Sequence, residues 1–141
     1  MIEIVNRQRK WNIDTKRWET FVNEALIVLP VSESGATVSF VSDRTMSKLN
    51  RRWRDKRGTT DVLSFPAEQN EFEKLQGLSL GDVVISVDQA ARQAAENKLQ
   101  LDEEIAQLIL HGLIHLCGFD HGTDDGEMNR LELRLRRKLG I

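Results

Sequence analysis

The sequence predicts an α/β fold of the α+β kind: one domain over residues 1–141, with a mixed four-stranded sheet packed against about five helices. Three observations carry that expectation. Four short runs, residues 2–5, 36–41, 62–65 and 81–86, have the β-branched content and flanking turn residues of strands. Between and after them, apolar residues recur at helical spacing. One helical stretch, about 102–117, is apolar nearly all round, as a central buried helix must be.

Residues 2–5 open the chain as a strand, and Asn6, Arg7, Arg9 and Lys10 follow as a basic loop. Asp14 is placed to cap a helix reaching about Leu29, with Trp18, Phe21, Val22, Ala25 and Leu26 on one face and Pro30 ending it. After a loop at 32–35, residues 36–41 alternate as the second strand. Strand, helix, strand at this spacing is a βαβ unit, so the two strands run parallel. Ser42 or Asp43 caps a second helix whose apolar stripe is Met46, Leu49 and Trp53, with Trp53 read as core rather than as a platform for a nucleic-acid base. Gly58-Thr59-Thr60 turns the chain into a third strand at 62–65, stopped by Pro66.

Residues 67–80 are polar and aperiodic, a surface loop with no helix in it. That favours antiparallel pairing of the third strand with the fourth, at 81–86. Ser86 caps a helix to about Glu96, with Gln89 completing a capping box. The long helix starts near Asp102 and runs to Cys117, with Ile105, Leu108, Ile109, Leu113 and Leu116 on one face and Leu110 and Ile114 opposite. Asp124 and Glu127 read as a further capping box. The last helix runs to about Leu139, with Met128, Leu131, Leu133 and Leu135 in or near the core and Arg130, Arg134, Arg136, Arg137 and Lys138 as a basic rim.

Apolar content of 40% and charged content of 30% exclude a disordered chain and a membrane-embedded one. No apolar run approaches the length of a membrane span and no signal pattern opens the chain, so a cytoplasmic location is expected. The single cysteine rules out an internal disulfide. A net charge of −2 says nothing for nucleic acid globally, so any such contact needs a local patch. Residues 50–57 are the most basic window, with Arg51, Arg52, Arg54, Lys56 and Arg57 against Asp55 alone. That window reads either as a solvated helix end suited to the macrodipole or as a phosphate-contacting patch.

The chemistry lies in residues 111–121, His-Gly-Leu-Ile-His-Leu-Cys-Gly-Phe-Asp-His, which hold all three histidines of the chain. His111 and His115 stand one helical turn apart with both rings on one face. Gly118 is placed to take a left-handed backbone, end the helix and bring His121 round. Three neutral imidazoles with a fourth position left to water make an open zinc site, zincin-like, on the central helix. Cys117 points about 160° away from His115 on a helix and reads as a small buried hydrophobe. The spacing equals that of the long zincin peptidase motif, except that Gly112 replaces the glutamate that serves there as general base.

The stretch from His111 to His121 resembles the signature of the YbeY family, bacterial endoribonucleases and ribosomal RNA maturation factors. Leu49-Asn50 with Arg54, then residues 60–66 (Thr-Asp-Val-Leu-Ser-Phe-Pro), is similar to that family's central motif. Residues 81–86 resemble its next strand, and Glu127-Met128 with Glu132 its final helix. Two positions depart from the pattern: Thr59 stands where proline is frequent, and Gly122 where an acidic residue is common. The resemblance implies one zinc ion held by His111, His115 and His121, a functional arginine at Arg54, and single-strand-specific RNA cleavage in 16S rRNA 3′-end maturation and ribosome quality control.

On that reading zinc activates a water for attack on a phosphodiester, which offsets the missing glutamate. Arg54 contacts a non-bridging phosphate oxygen, and Arg51, Arg52, Lys56 and Arg57 track the flanking RNA backbone. Asp120 is a candidate proton acceptor or anchor for a histidine N–H, or else it caps the turn after Gly118. Asp61 and Asp82 either support the site or fix turns. Ribosomal proteins or assembly factors are candidate partners. Two other readings stay open: a peptidase-like metallohydrolase, and a non-catalytic zinc- and RNA-binding assembly factor.

Overall fold

The computed structural model describes residues 1–31, 35–67, 79–119 and 124–141. Strand β1 (Ile2–Asn6), helix α1 (Thr15–Val28) and strand β2 (Ala36–Val41) form the expected βαβ unit, with β1 and β2 parallel in register from Ile2–Ala36 to Asn6–Phe40. Asp14 caps α1 by accepting from the Arg17 N–H. Helix α2 (Asp43–Arg54) is capped by Ser42 and followed by the edge strand β3 (Val62–Pro66). Strand β4 (Gly81–Ser86) lies between β2 and β3, parallel to β2 and antiparallel to β3, giving the order β1-β2-β4-β3. Pro66 is the last residue of β3 and is tolerated because an edge strand leaves some N–H positions unpaired. Helices α3 (Val87–Glu96), α4 (Leu101–Leu116) and α5 (Glu127–Leu139) complete the fold.

Strand alternation divides the core in two. Val38, Phe40, Val83 and Ile85 join α1, α4 and α5 in the main cluster, while Val41, Leu63 and Val84 face Met46 of α2 on the other side. Helix α4 runs through the middle of the main cluster, with Ile105, Ile109, Leu110, Leu113 and Ile114 fully buried. Burial on both of its faces outweighs its modest amphipathicity and makes it the most rigid platform in the molecule.

A polar junction ties α2, α3 and the turn before β3. Asp43 accepts from the hydroxyls of Ser86 and Thr59 and pairs with Arg92 at 2.7 Å. Burial works to raise its carboxyl pKa, but the bonds from Ser86, Arg92 and Thr59 prevail and hold it below the ordinary value. Thr59 thus tethers the turn before β3 by a hydrogen bond.

Several expectations need correction. Trp53 is 60% exposed and Leu133 45% exposed, so neither belongs to the core. Trp53 lies at the C-terminal end of α2, where it meets only the sheet's edge strand, against Phe65, instead of the sheet face that covers Met46. Gln89 does not close a capping box on Ser86; its side-chain oxygen accepts from Arg92 instead. The long helix begins at Leu101, where Gln100 and Glu103 make a reciprocal capping box. Helix α5 has Gly126 as its N-cap; Asp124 bonds the N–H groups of Gly126 and Met128 from outside the helix, and Glu127 bonds that of Asp125.

Gly112 marks the closest approach of α4 to the sheet. A Cβ there would stand 2.7 Å from Val83 Cγ1 and 3.2 Å from Ser64 Oγ. Val83 is fully buried and β-branched, so it cannot rotate away cheaply. Gly112→Ala is therefore expected to destabilise by about 1–2 kcal/mol, because overpacking outweighs the gain in helix propensity. Urea unfolding measures this, and a stabilised variant would show that the sheet yields freely.

Candidate functional site

The last turns of α4 carry His111 and His115, whose rings meet edge to face with centroids 4.6 Å apart. Their Nε2 atoms are 3.1 Å apart. Each outer nitrogen is tied elsewhere: His111 Nδ1 lies 2.6 Å from Glu132 Oε1, and His115 Nδ1 lies 2.9 Å from the Phe119 carbonyl. A carboxylate and a carbonyl only accept, so both Nδ1 atoms carry a proton, and in neutral rings both Nε2 lone pairs then face inward. Two lone pairs at this distance repel unless a positive centre lies between them. Ligand nitrogens on one tetrahedral zinc ion stand roughly 3.3 Å apart for bonds of about 2.0–2.1 Å, so the pair fits a shared divalent ion.

Gly118, at φ +97°, takes the left-handed conformation expected of it, and its N–H bonds the His115 carbonyl. The third expected ligand, His121, and the candidate proton acceptor Asp120 lie outside the described residues. Among the described residues no group of three metal-ligating side chains is found. Cys117 is partly buried and its thiol is pushed up by that burial, in keeping with a packing role.

Beside the imidazoles opens a cavity of about 500 Å³, with Arg54, Thr60, Asp61, Ser64 and Pro66 on its walls. The elements explain how these residues meet. Ser64 projects from β3 toward α4 and donates to the Gly112 carbonyl at 3.2 Å. Arg54 ends α2, where Asp55, at φ 52°, caps the helix in the left-handed conformation. Asn50 is buried and donates to the Gly58 carbonyl at 3.1 Å, which holds the loop between Arg54 and Thr60. Of the basic window, Arg54 lines the cavity, while Arg51, Arg52, Lys56 and Arg57 are exposed and not among its lining residues. None of the five forms an ion pair among the described residues.

Asp61, read from the sequence as either supporting the site or fixing a turn, has a structural role at the start of β3 and also lines the cavity. It caps the entry to β3 through the Val62 N–H at 2.7 Å, accepts from Gln93 at 3.1 Å, and faces the cavity. Asp82 is exposed on β4 and stays off the cavity wall.

Two residues were not legible as site components. Glu132 is buried, and its second oxygen accepts from Arg136 at 2.9 Å. A line therefore runs from Arg136 through Glu132 to His111, orienting the imidazole in the manner of carboxylate–histidine pairs behind metal ligands. The spacing of four along α5 was available as a clue, but the expectation of a basic rim hid it; Arg136 turns inward.

A sequence model described as Endoribonuclease YbeY matches residues 3–140. The chain belongs to the YbeY endoribonuclease family. A YbeY from Geobacter metallireducens is 34% identical over 141 residues, covering 99% of this chain and 94% of its own. Those of Nautilia profundicola and Campylobacter fetus are each 44% identical, over 70% and 72% of this chain and 68% and 72% of theirs. A solution structure of a Thermotoga maritima protein shares the fold, with a TM-score of 0.62 and 21% identity over 99% of this chain and 89% of that one. YbeY membership makes RNA the substrate class. No helix among the described residues is long and apolar enough to cross a membrane.

Behind the cavity, Glu104 is buried on α4. Burial and the neighbouring Asp61 carboxylate raise its pKa, against the pull of Arg136 and Asn97. A carboxyl that holds its proton more tightly folded than unfolded loses stability as pH rises out of the acid range. Glu104→Gln cannot titrate, so its stability relative to wild type is expected to improve as pH rises from about 4 to about 7. Urea unfolding at both values decides; a difference that does not change with pH would mean Glu104 is unperturbed.

Proposed function

We propose that this protein is a zinc-dependent endoribonuclease that cuts single-stranded ribosomal RNA, acting in the cytoplasm on the 3′ end of 16S rRNA during maturation and quality control. The observation that carries the reading is the pair of inward Nε2 lone pairs, 3.1 Å apart, beside a cavity that Arg54 also lines. His111 and His115 would hold the ion, with His121 as the third ligand. Zinc, when bound, supplies a water acidic enough to ionise near neutral pH and a positive centre for a phosphoryl oxygen. The remaining work falls to side chains. Glu132 keeps the His111 proton on Nδ1 and the ring aimed inward. Arg54, always charged and fork-shaped, binds a non-bridging oxygen of the scissile phosphate and stabilises the charge that builds there. Arg51, Arg52, Lys56 and Arg57 hold the flanking phosphates, so binding weakens steeply with salt. Asp120 is the proposed proton acceptor.

The crowding at Gly112 argues against the peptidase alternative. A glutamate there would drive its Cβ into Val83, so the missing base belongs to the packing of this fold.

The deciding experiment sets zinc-loaded protein against single-stranded RNA and casein. RNA cleavage with casein intact is expected, and both His115→Ala and Arg54→Ala should lower it roughly 100-fold or more. Arg54→Ala should keep its zinc and its fold; loss of zinc in that variant would make Arg54 structural. Stoichiometric zinc with RNA binding but no cleavage would favour an assembly factor.

Glu132→Gln is expected to weaken zinc binding by roughly 10- to 100-fold, read by competition with a chelating dye. An unchanged affinity would remove Glu132 from the site.

A further inference from the structure

The one large aromatic that the fold leaves outside among the described residues of the sheet edge is Trp53, 60% exposed at the end of α2. The ring is nonetheless held in place. Phe65 of β3 meets it edge to face, with centroids 6.2 Å apart and planes at 70°. The Arg52 guanidinium lies over it, 5.3 Å from the ring centroid. Trp53 and Phe65 are chain neighbours of residues on the cavity wall, Arg54 on one side and Ser64 and Pro66 on the other. Because side chains alternate along β3, Ser64 faces α4 while Phe65 packs on the α2 side. The ring therefore stands on the opposite side of the edge strand from the cavity, with Arg54 reaching between them.

We infer that Trp53, steadied by Phe65 and Arg52, is a stacking ledge for one unpaired base of an RNA strand that crosses the β3 edge and delivers its phosphate to Arg54. The inference rests on the endoribonuclease reading and adds a base-binding subsite to it. Charge complementarity selects the occupant. The ring lies in the most basic stretch of the chain, with Arg52 over it and Arg51, Arg54, Lys56 and Arg57 as near chain neighbours, none in an ion pair among the described residues, which suits a polyanion. Protein-binding hot spots sit instead within apolar clusters sealed by a rim, and among the described residues no other large apolar side chain is exposed at this edge. A tryptophan face accepts any base, and a cation on one side of the ring adds to the attraction. A paired base has both faces taken within its duplex, so the ledge favours unpaired RNA without reading its sequence.

The test measures binding of two cleavage-resistant probes, a 2′-O-methyl oligouridine and its abasic counterpart with the same phosphates. Trp53→Ala is expected to weaken oligouridine binding roughly 5- to 100-fold and to leave the abasic probe unaffected. Trp53→Phe should retain most of the affinity, and Arg51→Ala should weaken both probes alike. Far-UV circular dichroism confirms that each variant is folded. Equal losses on both probes would overturn the ledge, because the effect would then be on the backbone path. Wild-type affinity in Trp53→Ala would overturn it too and leave the Trp–Arg pair as a protein contact. A wild-type chain that binds neither probe would sink the RNA reading and the ledge with it, a result distinct from the other two.

Discussion

Between Gly112 of α4 and Val83 of β4 there is no room for one more carbon atom, and this contact sets the position of everything that matters at the site. With the helix pressed that close, Ser64 can reach the Gly112 carbonyl, and β3 is locked against α4 at the point where the cavity opens. The two imidazoles project from the same turns. Their placement then inherits the rigidity of a helix that is buried over most of its length rather than the looseness of a surface loop. A side chain at 112 would lift α4 off the sheet and move both rings together.

Around that seat the molecule spends its buried polar groups on alignment. Asp43 gathers Ser86, Thr59 and Arg92 at the start of α2, while Asn50 holds the loop beyond its end. Arg54 is thereby fixed at both ends of the element that carries it. Glu132 performs the matching service for His111 from α5. The carboxylates of Asp43 and Glu132 are each paired with charged or polar partners, which is what makes their withdrawal from water tolerable.

Much of this was legible in the residues alone. The strands, the parallel and antiparallel pairings and the left-handed Gly118 follow from local chemistry: β-branched runs, loop lengths and a glycine after an apolar helix. The histidine pair followed from its spacing of four. What stayed hidden depends on tertiary neighbours. Trp53 sits at helical spacing with Met46 and Leu49 and reads as core, yet it meets only the edge strand, at Phe65, and stays exposed. Leu133 is two residues from both Leu131 and Leu135, nearly opposite them on the helix, and is exposed. The role of Glu132 could not be read, because nothing local says which of several acidic residues on α5 meets an imidazole from another helix. Gly112 looked like a lost base; its reason is a valine on a different element.

The Glu132–His111 bond joins two elements that are made at different times. Helix α4 precedes α5 in the chain, so a nascent polypeptide that has exposed α4 still lacks the carboxylate that steers the imidazole. Until α5 docks, that carboxylate is not there to hold the ring in its orientation. Alignment of the His111 imidazole thus waits on completion of the tertiary structure, and by reciprocity anything that pins the ring also pins the helix bearing Glu132.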